Sequence, residues 1–402
     1  MMALRRMKRT HKILLLCVGF IVLFLLLVTP DLSYGEIRST RRSLHVLTFP
    51  NVHYRDKPVK RILKWTGVFK RDSTKSDLEC LKNCSARCEL ILNRANIRDA
   101  DAVHFHLSDL WSKVWRIGTK SIIDLPKYRT PDQVWILGNM EPPPHLWGNI
   151  KVFNGLFNWT NWYRLDSDVM WPYGGVYKLS EREQKEAREV LNGRNFFKEK
   201  TKEIVVRTSN CFDPGQRYRM VSKLSKYLEV DGFGKCYNRL CGKSTDPMDT
   251  SCDDELKQYK FYLAFENDLC RDYITEKYWL TLQRDQIPIV NWKFFDKSAV
   301  IPNSYINIQD FDSFDKLVKY LKLVSSNETL YNSYFEYKKY YKNHRTGCHV
   351  CDLCKTLHDK DKPGQIYVDM DGWVREDTCD KVELWNNFMK NVFGWRFYFL
   401  GF

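Results

Sequence analysis

Hydrophobic positions fall in three textures along the chain. Residues 13–29 form an uncharged apolar run preceded by Arg5, Arg6, Lys8, Arg9 and Lys12. That length and flanking charge predict a bilayer-spanning helix with its N-terminus in the cytosol. A cleavable signal peptide is the other reading, but its apolar region is usually shorter and "LVTPDLSYGE" offers a poor cleavage site. The expected order is a cytosolic tail (1–12), a transmembrane signal anchor (13–29) and a polar stem (30–44).

Beyond the stem, short apolar runs such as "LHVLTF", "DAVHFHL" and "QVWILGNM" read as buried strands between basic or helical segments. "SEREQKEAREVLNGRNFF" opens with a capping box, Ser180 to Glu183, and predicts an exposed helix near a domain boundary. Then "KEIVVRTSN", "KFYLAF" and "IPIV" alternate as strands with the helical patterns "QRYRMVSKLSKYL" and "DYITEKYWLTL". This alternation predicts an α/β class with Rossmann-like parallel sheets. The organisation expected is one domain over 45–178, a second over 179–345, and a Cys-rich, aromatic tail over 346–402 packed back on the first.

The 402 residues, 44% hydrophobic and 14% aromatic, supply enough apolar area for two cores. A net charge of +15 calls for acidic partners: nucleic acid, a membrane surface or a phosphorylated small molecule. Basic residues are dispersed and the chain after the anchor is placed in a lumen, so nucleic acid is not expected. Thirteen cysteines, one inside the apolar run and twelve beyond it, suit an oxidising compartment. "CLKNCSARC" and "CHVCDLC" permit zinc or disulfides, and the compartment favours disulfides. Bridges between these two clusters would tie the tail to the first domain. Sequons at Asn83, Asn158 and Asn327 are candidate glycosylation sites.

Chemistry concentrates in "FYLAFENDLCRDYITEKYW". Its pattern predicts a strand over 261–265, a connection over 266–272 and a helix over 273–283, with Asp272 as the helix cap. Glu266, Asn267, Glu276 and Lys277 then stand at the carboxyl end of a strand, where open α/β sheets bind ligands. Lys277 in a first helical turn opposes the helix dipole, which a bound anion would explain. A solvated helix start is the plainer alternative. Neither GxGxxG nor GxxxxGK[ST] occurs to support a dinucleotide or phosphate-loop fold.

The same stretch resembles the signature of the α1,3-fucosyltransferases, glycosyltransferase family 10. Five more blocks agree in order: "WILGNMEPPPHLW", "FNWTNWYRLDSDVMWPYG", "TSNCFDPGQRYRMVSKL", "VDGFGKC" and "CDLCKTL". The resemblance implies a GT-B fold, two Rossmann-like domains facing a cleft. It implies inverting transfer of L-fucose from GDP-L-fucose in α1,3 linkage to GlcNAc of glycoprotein or glycolipid glycans, in the Golgi membrane. The acceptor is either an N-glycan core or a lactosamine-type unit. Glu141 matches the general base, Arg217 and Lys277 the diphosphate-binding pair, Tyr273 and Glu276 residues around the nucleoside, and Glu266 and Asn267 the rest of the donor signature.

Neither an essential cofactor nor a divalent metal is implied. Asp166 and Asp168 ("DSD") and Asp369 and Asp371 ("DMD") look like metal-binding pairs, but short acidic spacings are weak evidence. One departure is that Pro142 stands where the family carries Ser after the Glu, removing a backbone donor. His145, kept after the prolines, is either an acceptor contact or a packed loop residue. A catalytically silent, membrane-anchored glycan-binding protein of the same fold is the alternative function.

Overall fold

Short apolar strands alternating with helices assemble into two parallel sheets. The computed structural model describes residues 45–49, 57–69, 74–110, 123–146, 148–211, 213, 215–242, 251–345 and 348–379. The expected tail, anchor and stem lie outside these residues, and no helix among the described residues is long and apolar enough to cross a membrane.

In chain order, β1 (Val46–Phe49) is followed by β2 (Lys60–Lys64), α1 (Thr74–Lys82), β3 (Cys88–Ile91), β4 (Ala102–His106), α2 (Leu107–Leu110), β5 (Val134–Asn139), β6 (Trp159–Trp162) and β7 (Val169–Met170). The last six strands named, β2 to β7, form one sheet in the order β3-β2-β4-β5-β6-β7, parallel throughout. Next come β8 (Gly174–Lys178), α3 (Glu181–Leu191), β9 (Lys202–Arg207), α4 (Arg217–Leu224), β10 (Val230–Phe233), α5 (Asp253–Leu256), β11 (Tyr259–Leu263), α6 (Glu276–Gln283), β12 (Ile287–Val290), β13 (Ile306–Asn307), α7 (Phe314–Ser326) and α8 (Glu328–Ser333). Here the order is β10-β9-β11-β12-β13, again parallel. Finally β14 (Tyr341–Arg345), α9 (His349–His358), β15 (Gly364–Tyr367) and α10 (Met370–Arg375) complete the described chain.

Both sheets share a topology. In each, the second strand lies on one side of the first and the third on the other, giving a reversal between β2 and β4 and between β9 and β11. This is the flavodoxin-like 2-1-3-4-5 winding rather than the dinucleotide order 3-2-1, a narrowing of the Rossmann-like expectation. A crevice opens at the carboxyl ends of the strands at such a reversal. Strands β4, β5 and β12 are buried at every position; β5 and β12 accordingly read as largely apolar runs, while β4 buries His104 and His106 among its apolar residues.

The capping box forms in both directions: Ser180 Oγ accepts from the Glu183 N–H, and Glu183 accepts from the Ser180 N–H at 2.9 Å. The helix it starts, α3, buries no residue, in keeping with its mostly charged sequence, and only Leu191 at its end packs against the second core. In contrast α7 turns Leu317, Val318, Leu321 and Val324 onto the second sheet.

The tail returns to the first sheet. Cys80–Cys348, Cys84–Cys351 and Cys88–Cys354 link the α1–β3 segment to α9, because cysteines three apart share one face of that helix. β15 pairs antiparallel with β1, and Tyr367, Met370 and Trp373 join the first core. Three more bridges, Cys211–Cys236, Cys241–Cys252 and Cys270–Cys379, complete the pairing of all twelve described cysteines. The groupings of possible metal ligands among the described residues, Cys88/Cys354/His358 and Cys241/Cys252/Glu255, are each built on a disulfide pair.

Candidate active site

The loops that follow β9 and β11 meet at the reversal of the second sheet. The Gly215 N–H donates to the Asn267 carbonyl at 2.6 Å. A Cβ on Gly215 would lie 2.8 Å from the carbonyl oxygens of both Glu266 and Asn267, so only glycine allows the two loops this approach. Asn291, just past β12, pins Glu266 from the other side: its Oδ1 accepts from the Glu266 N–H at 2.8 Å and its Nδ2 donates to the Glu266 carbonyl at 3.2 Å.

The Glu266 carboxylate is buried and fully engaged. Oε1 accepts from the Thr275 N–H at 2.8 Å, while Oε2 accepts from the Thr275 hydroxyl at 2.8 Å and from Lys277 Nζ at 3.2 Å. Lys277 also reaches Thr275 Oγ1 at 2.7 Å and Glu276 Oε1 at 3.0 Å. Burial pushes the Glu266 carboxyl up, opposed by Lys277. Burial alone would lower Lys277, but Glu266 and Glu276 outweigh it and hold the ammonium above the ordinary lysine range. Arg217, at the start of α4, is buried against Asp213 at 2.9 Å, an i,i+4 pair. Burial would lower this guanidinium and Asp213 keeps it charged.

Three expectations for this region change. The strand lies two residues earlier than the pattern predicts, at 259–263, and the helix starts three residues later, at 276–283. Asp272 does not cap the helix: it sits at φ +59 with its carboxylate accepting from the Leu165 N–H at 3.3 Å, and Thr275 occupies the N-cap position. Acidic capping preference is overridden because the connection is folded against the first half of the chain. Lys277, finally, is balanced by carboxylates of its own loop, so its place in the first turn has an internal explanation.

Tyr273, expected near the nucleoside, lies in the first core, 5.0 Å centroid to centroid from Tyr163 and 6.1 Å from Tyr173. The whole 267–273 connection is clamped there. Arg271 pairs with buried Asp166 at 3.0 Å, its N–H donates to the Thr378 carbonyl at 2.6 Å, and Cys270 bonds Cys379. Asp166 also takes a bidentate contact from Arg164 at 2.9 and 2.6 Å. Asp168 accepts from the Thr160 N–H, the Tyr367 hydroxyl, Gln365 Nε2 and Lys362 Nζ, between 2.8 and 3.2 Å. The "DSD" carboxylates therefore hold the halves and the tail together. Asp369 of "DMD" caps α10, and Asp371 pairs with Arg375 at 3.0 Å.

Glu141 leaves the carboxyl end of β5. Its carbonyl accepts from Asn139 Nδ2 at 2.9 Å and from Trp162 Nε1 at 3.1 Å, and the Tyr173 hydroxyl donates to the neighbouring Met140 carbonyl at 2.9 Å. Its side chain stays 27% exposed. The prolines 142–144 carry a single 3-10 turn that places His145 beside it, Nδ1 to Oε2 3.2 Å. The other ring nitrogen is 2.8 Å from Asp268 of the second half. His145 is therefore neither a simple loop packer nor, in this structure, turned toward an acceptor.

The expected base and the expected donor residues converge. The buried phenols of Tyr173 and Tyr273 are raised well above the usual tyrosine range by burial, reinforced by the charges of Glu141, Glu266 and Glu276. Sequence reading missed Asp268, Asp213, Thr275 and Asn291. The D-x-x-x-R spacing of Asp213 and Arg217 was a legible signal for one of them; the others carry no motif.

Among the sequons, Asn83 and Asn327 are exposed. Asn158 is turned inward: Oδ1 accepts from the Trp135 N–H at 2.9 Å and Nδ2 donates to the Gln365 carbonyl at 2.9 Å. A glycan on Asn158 would disrupt this staple between β5, β6 and the tail.

Two family models match the chain: "Glycosyltransferase family 10 (fucosyltransferase) C-term" over residues 197–373 and "Fucosyltransferase, N-terminal" over residues 57–174. Alpha-(1,3)-fucosyltransferase C of Drosophila melanogaster is 32% identical over 289 residues, 68% of this chain; the chain spans 65% of that relative's length. Alpha-(1,3)-fucosyltransferase fut-6 of Caenorhabditis elegans is 31% identical over 306 residues, 73% of this chain and 74% of that one. A crystal structure of an alpha1,3-fucosyltransferase with GDP-fucose aligns at TM-score 0.49 and 17% identity over 80% of this chain and 96% of that chain.

Proposed function

The chain belongs to glycosyltransferase family 10, the fucosyltransferases, and on that premise we propose that it transfers L-fucose from GDP-L-fucose. The transfer inverts the anomeric centre and forms an α1,3 linkage to GlcNAc of glycoprotein or glycolipid glycans. One observation supports the reading: the half-buried Glu141, from the first half, is joined through His145 to Asp268 and Asn267 of the loop that also carries Glu266, the partner of Lys277 in the second half. Two doubly wound sheets meeting this way support the GT-B assignment.

Inverting transfer is a single displacement. Glu141 removes the proton of the acceptor hydroxyl as its oxygen bonds to the fucosyl anomeric carbon, and the bond to GDP breaks with its electron pair going to the diphosphate. Lys277 and Arg217 supply fixed positive charge for that leaving group. Both are neutralised by carboxylates beforehand, so the donor enters a site already organised by Glu266 and Asp213. Glu276 and Asn267 complete the donor side. Asp166 and Asp168 are engaged in holding the fold, which supports transfer without a divalent ion.

The apolar run at 13–29 and the dense disulfides support a single-pass type II protein of the Golgi membrane with the catalytic unit in the lumen. The test is incubation of the purified chain with GDP-fucose and a panel holding an N-glycan core, lactosamine and LacdiNAc. Linkage analysis of the product follows. Fucose transferred to none of these would overturn the proposal.

A further inference from the structure

Glu141 stands at one end of a chain of charges that crosses from one half of the protein to the other. His145 Nδ1 is 3.2 Å from Glu141 Oε2, and Nε2 is 2.8 Å from Asp268 Oδ2. Asp268 is fully buried, and among the described residues neither of its oxygens accepts a well-aligned hydrogen bond. A buried carboxylate so placed needs a cation, and the His145 ring is the one beside it. The base is carried on a stiff support: three consecutive prolines fix φ, and the His145 N–H donates to the Pro142 carbonyl at 2.9 Å.

We propose that His145 is a positioning residue for fucose transfer, an imidazolium that ties the general base Glu141 to Asp268 of the donor-side loop and fixes which carboxylate oxygen meets the acceptor. This rests on the function proposed above. Oε2 of Glu141 is held by Nδ1–H, leaving Oε1 for the acceptor hydroxyl. During transfer Glu141 takes the hydroxyl proton at Oε1, the acceptor oxygen bonds to the fucosyl carbon, and the GDP bond breaks toward the diphosphate. His145 keeps both its protons throughout.

Asp268 is as necessary as the histidine. It balances the imidazolium: with Asp268 on the far side, the trio carries one net negative charge before the proton arrives and none after. Other groups around the ring are few. The structure places Asn267 Nδ2 3.3 Å from both ring nitrogens; an imidazolium has no lone pair to accept from it, so in the charged link the amide turns to present its oxygen. Asp213, which acts on Asp268, is held by Arg217; Tyr173 and Tyr273 act on Glu141 and are neutral.

Burial would lower His145, but Asp268 and Glu141 overcome it and raise the ring to about 9. Its folded value lies above the unfolded 6.5, so the link is complete below that value and is lost as pH rises through about 9.

The experiment measures kcat and KM for donor and acceptor from about pH 6 to about pH 10 in the wild type, H145Q, D268N and the double variant, with melting curves over the same range. The wild type should lose kcat through about pH 9. H145Q and D268N should lower kcat about 10- to 100-fold at neutral pH with donor KM within about twofold, and lack that alkaline limb. The double variant should be no worse than the poorer single one, as expected for one linked unit. In melting, the advantage of the wild type over H145Q should vanish above about pH 9. An H145Q enzyme with wild-type kcat and the same alkaline limb overturns the proposal. Should the wild type transfer no fucose, the parent function falls. Melting then decides the link alone: a pH-dependent difference supports it, and a pH-independent one overturns it.

Discussion

Replacing Lys277 by Met separates its two tasks, because methionine keeps most of the buried stem and removes only the charge. In the ligand-free protein Nζ lies 3.2 Å from Glu266 and 3.0 Å from Glu276, with the lysine 16% and the Glu266 side chain 1% exposed. Two unit charges at that separation attract by about 5 kcal/mol at an effective dielectric of about 20, and most of this offsets desolvation. Removing one partner leaves Glu266 buried and charged, which costs about 3–5 kcal/mol. The protein can escape by protonating Glu266, whose carboxyl burial already pushes up. A raised carboxyl favours the folded state when protonated, so the destabilisation of K277M should shrink as pH falls from about 7.5 to about 5. At about 2 °C per kcal/mol, the melting temperature should drop about 6–10 °C at the higher pH. E266Q/K277M should recover most of that loss, since neither charge remains. It should not recover GDP affinity, where losing a charge-assisted contact worth about 1.5–3 kcal/mol raises Kd about 10- to 100-fold. Scanning fluorimetry with a GDP titration reads both quantities. Melting that is equally depressed at both pH values, or a GDP Kd within about twofold of wild type in K277M, would refute the reasoning.

Other outcomes follow from the same geometry. Glu141→Gln should lower kcat at least about 100-fold while GDP-induced stabilisation persists, read by a fucosyl-transfer assay beside fluorimetry. Transfer should be equal in EDTA and in added Mn²⁺; complete loss in EDTA would reopen metal chemistry at the acidic pairs. Deleting one rung of the Cys80–Cys348, Cys84–Cys351, Cys88–Cys354 ladder should cost about 2 kcal/mol, because the neighbouring rungs already close the long loop. Deleting all three opens that loop and should cost more than about 5 kcal/mol, measured by chemical denaturation. Mass analysis of the secreted lumenal chain should find glycans at Asn83 and Asn327 and none at Asn158, whose amide is turned inward.

Much of the fold is visible in the chain itself. Buried parallel strands must be apolar on both faces, so "VWILGN" and "IPIV" announce themselves without a partner. The Ser180–Glu183 box marks a helix start because its hydrogen bonds are local. Glu266, Glu276 and Lys277 are recognisable as a group from the local pattern, and Lys277 lies within 3.2 Å of both carboxylates. Asp272 does not cap the helix, and the reason is tertiary. Capping preference and helical spacing describe a segment alone, whereas this connection is held by Leu165, Tyr163 and the tail.

The sequence by itself determined the alternation of strands and helices and the family to which six ordered blocks belong. These are local or compositional properties, written in spacing and residue type. Only the tertiary structure decided that both sheets wind in the 2-1-3-4-5 order, that Asp168 and Asn158 fasten the tail, and that His145 stands between Glu141 and Asp268. The last contact joins residues more than a hundred positions apart, on connections that follow strands of two separate sheets. No periodicity records such a distance; it exists because burying both sheets and the tail together leaves Asp268 in the interior with a charge that the proline-locked histidine balances.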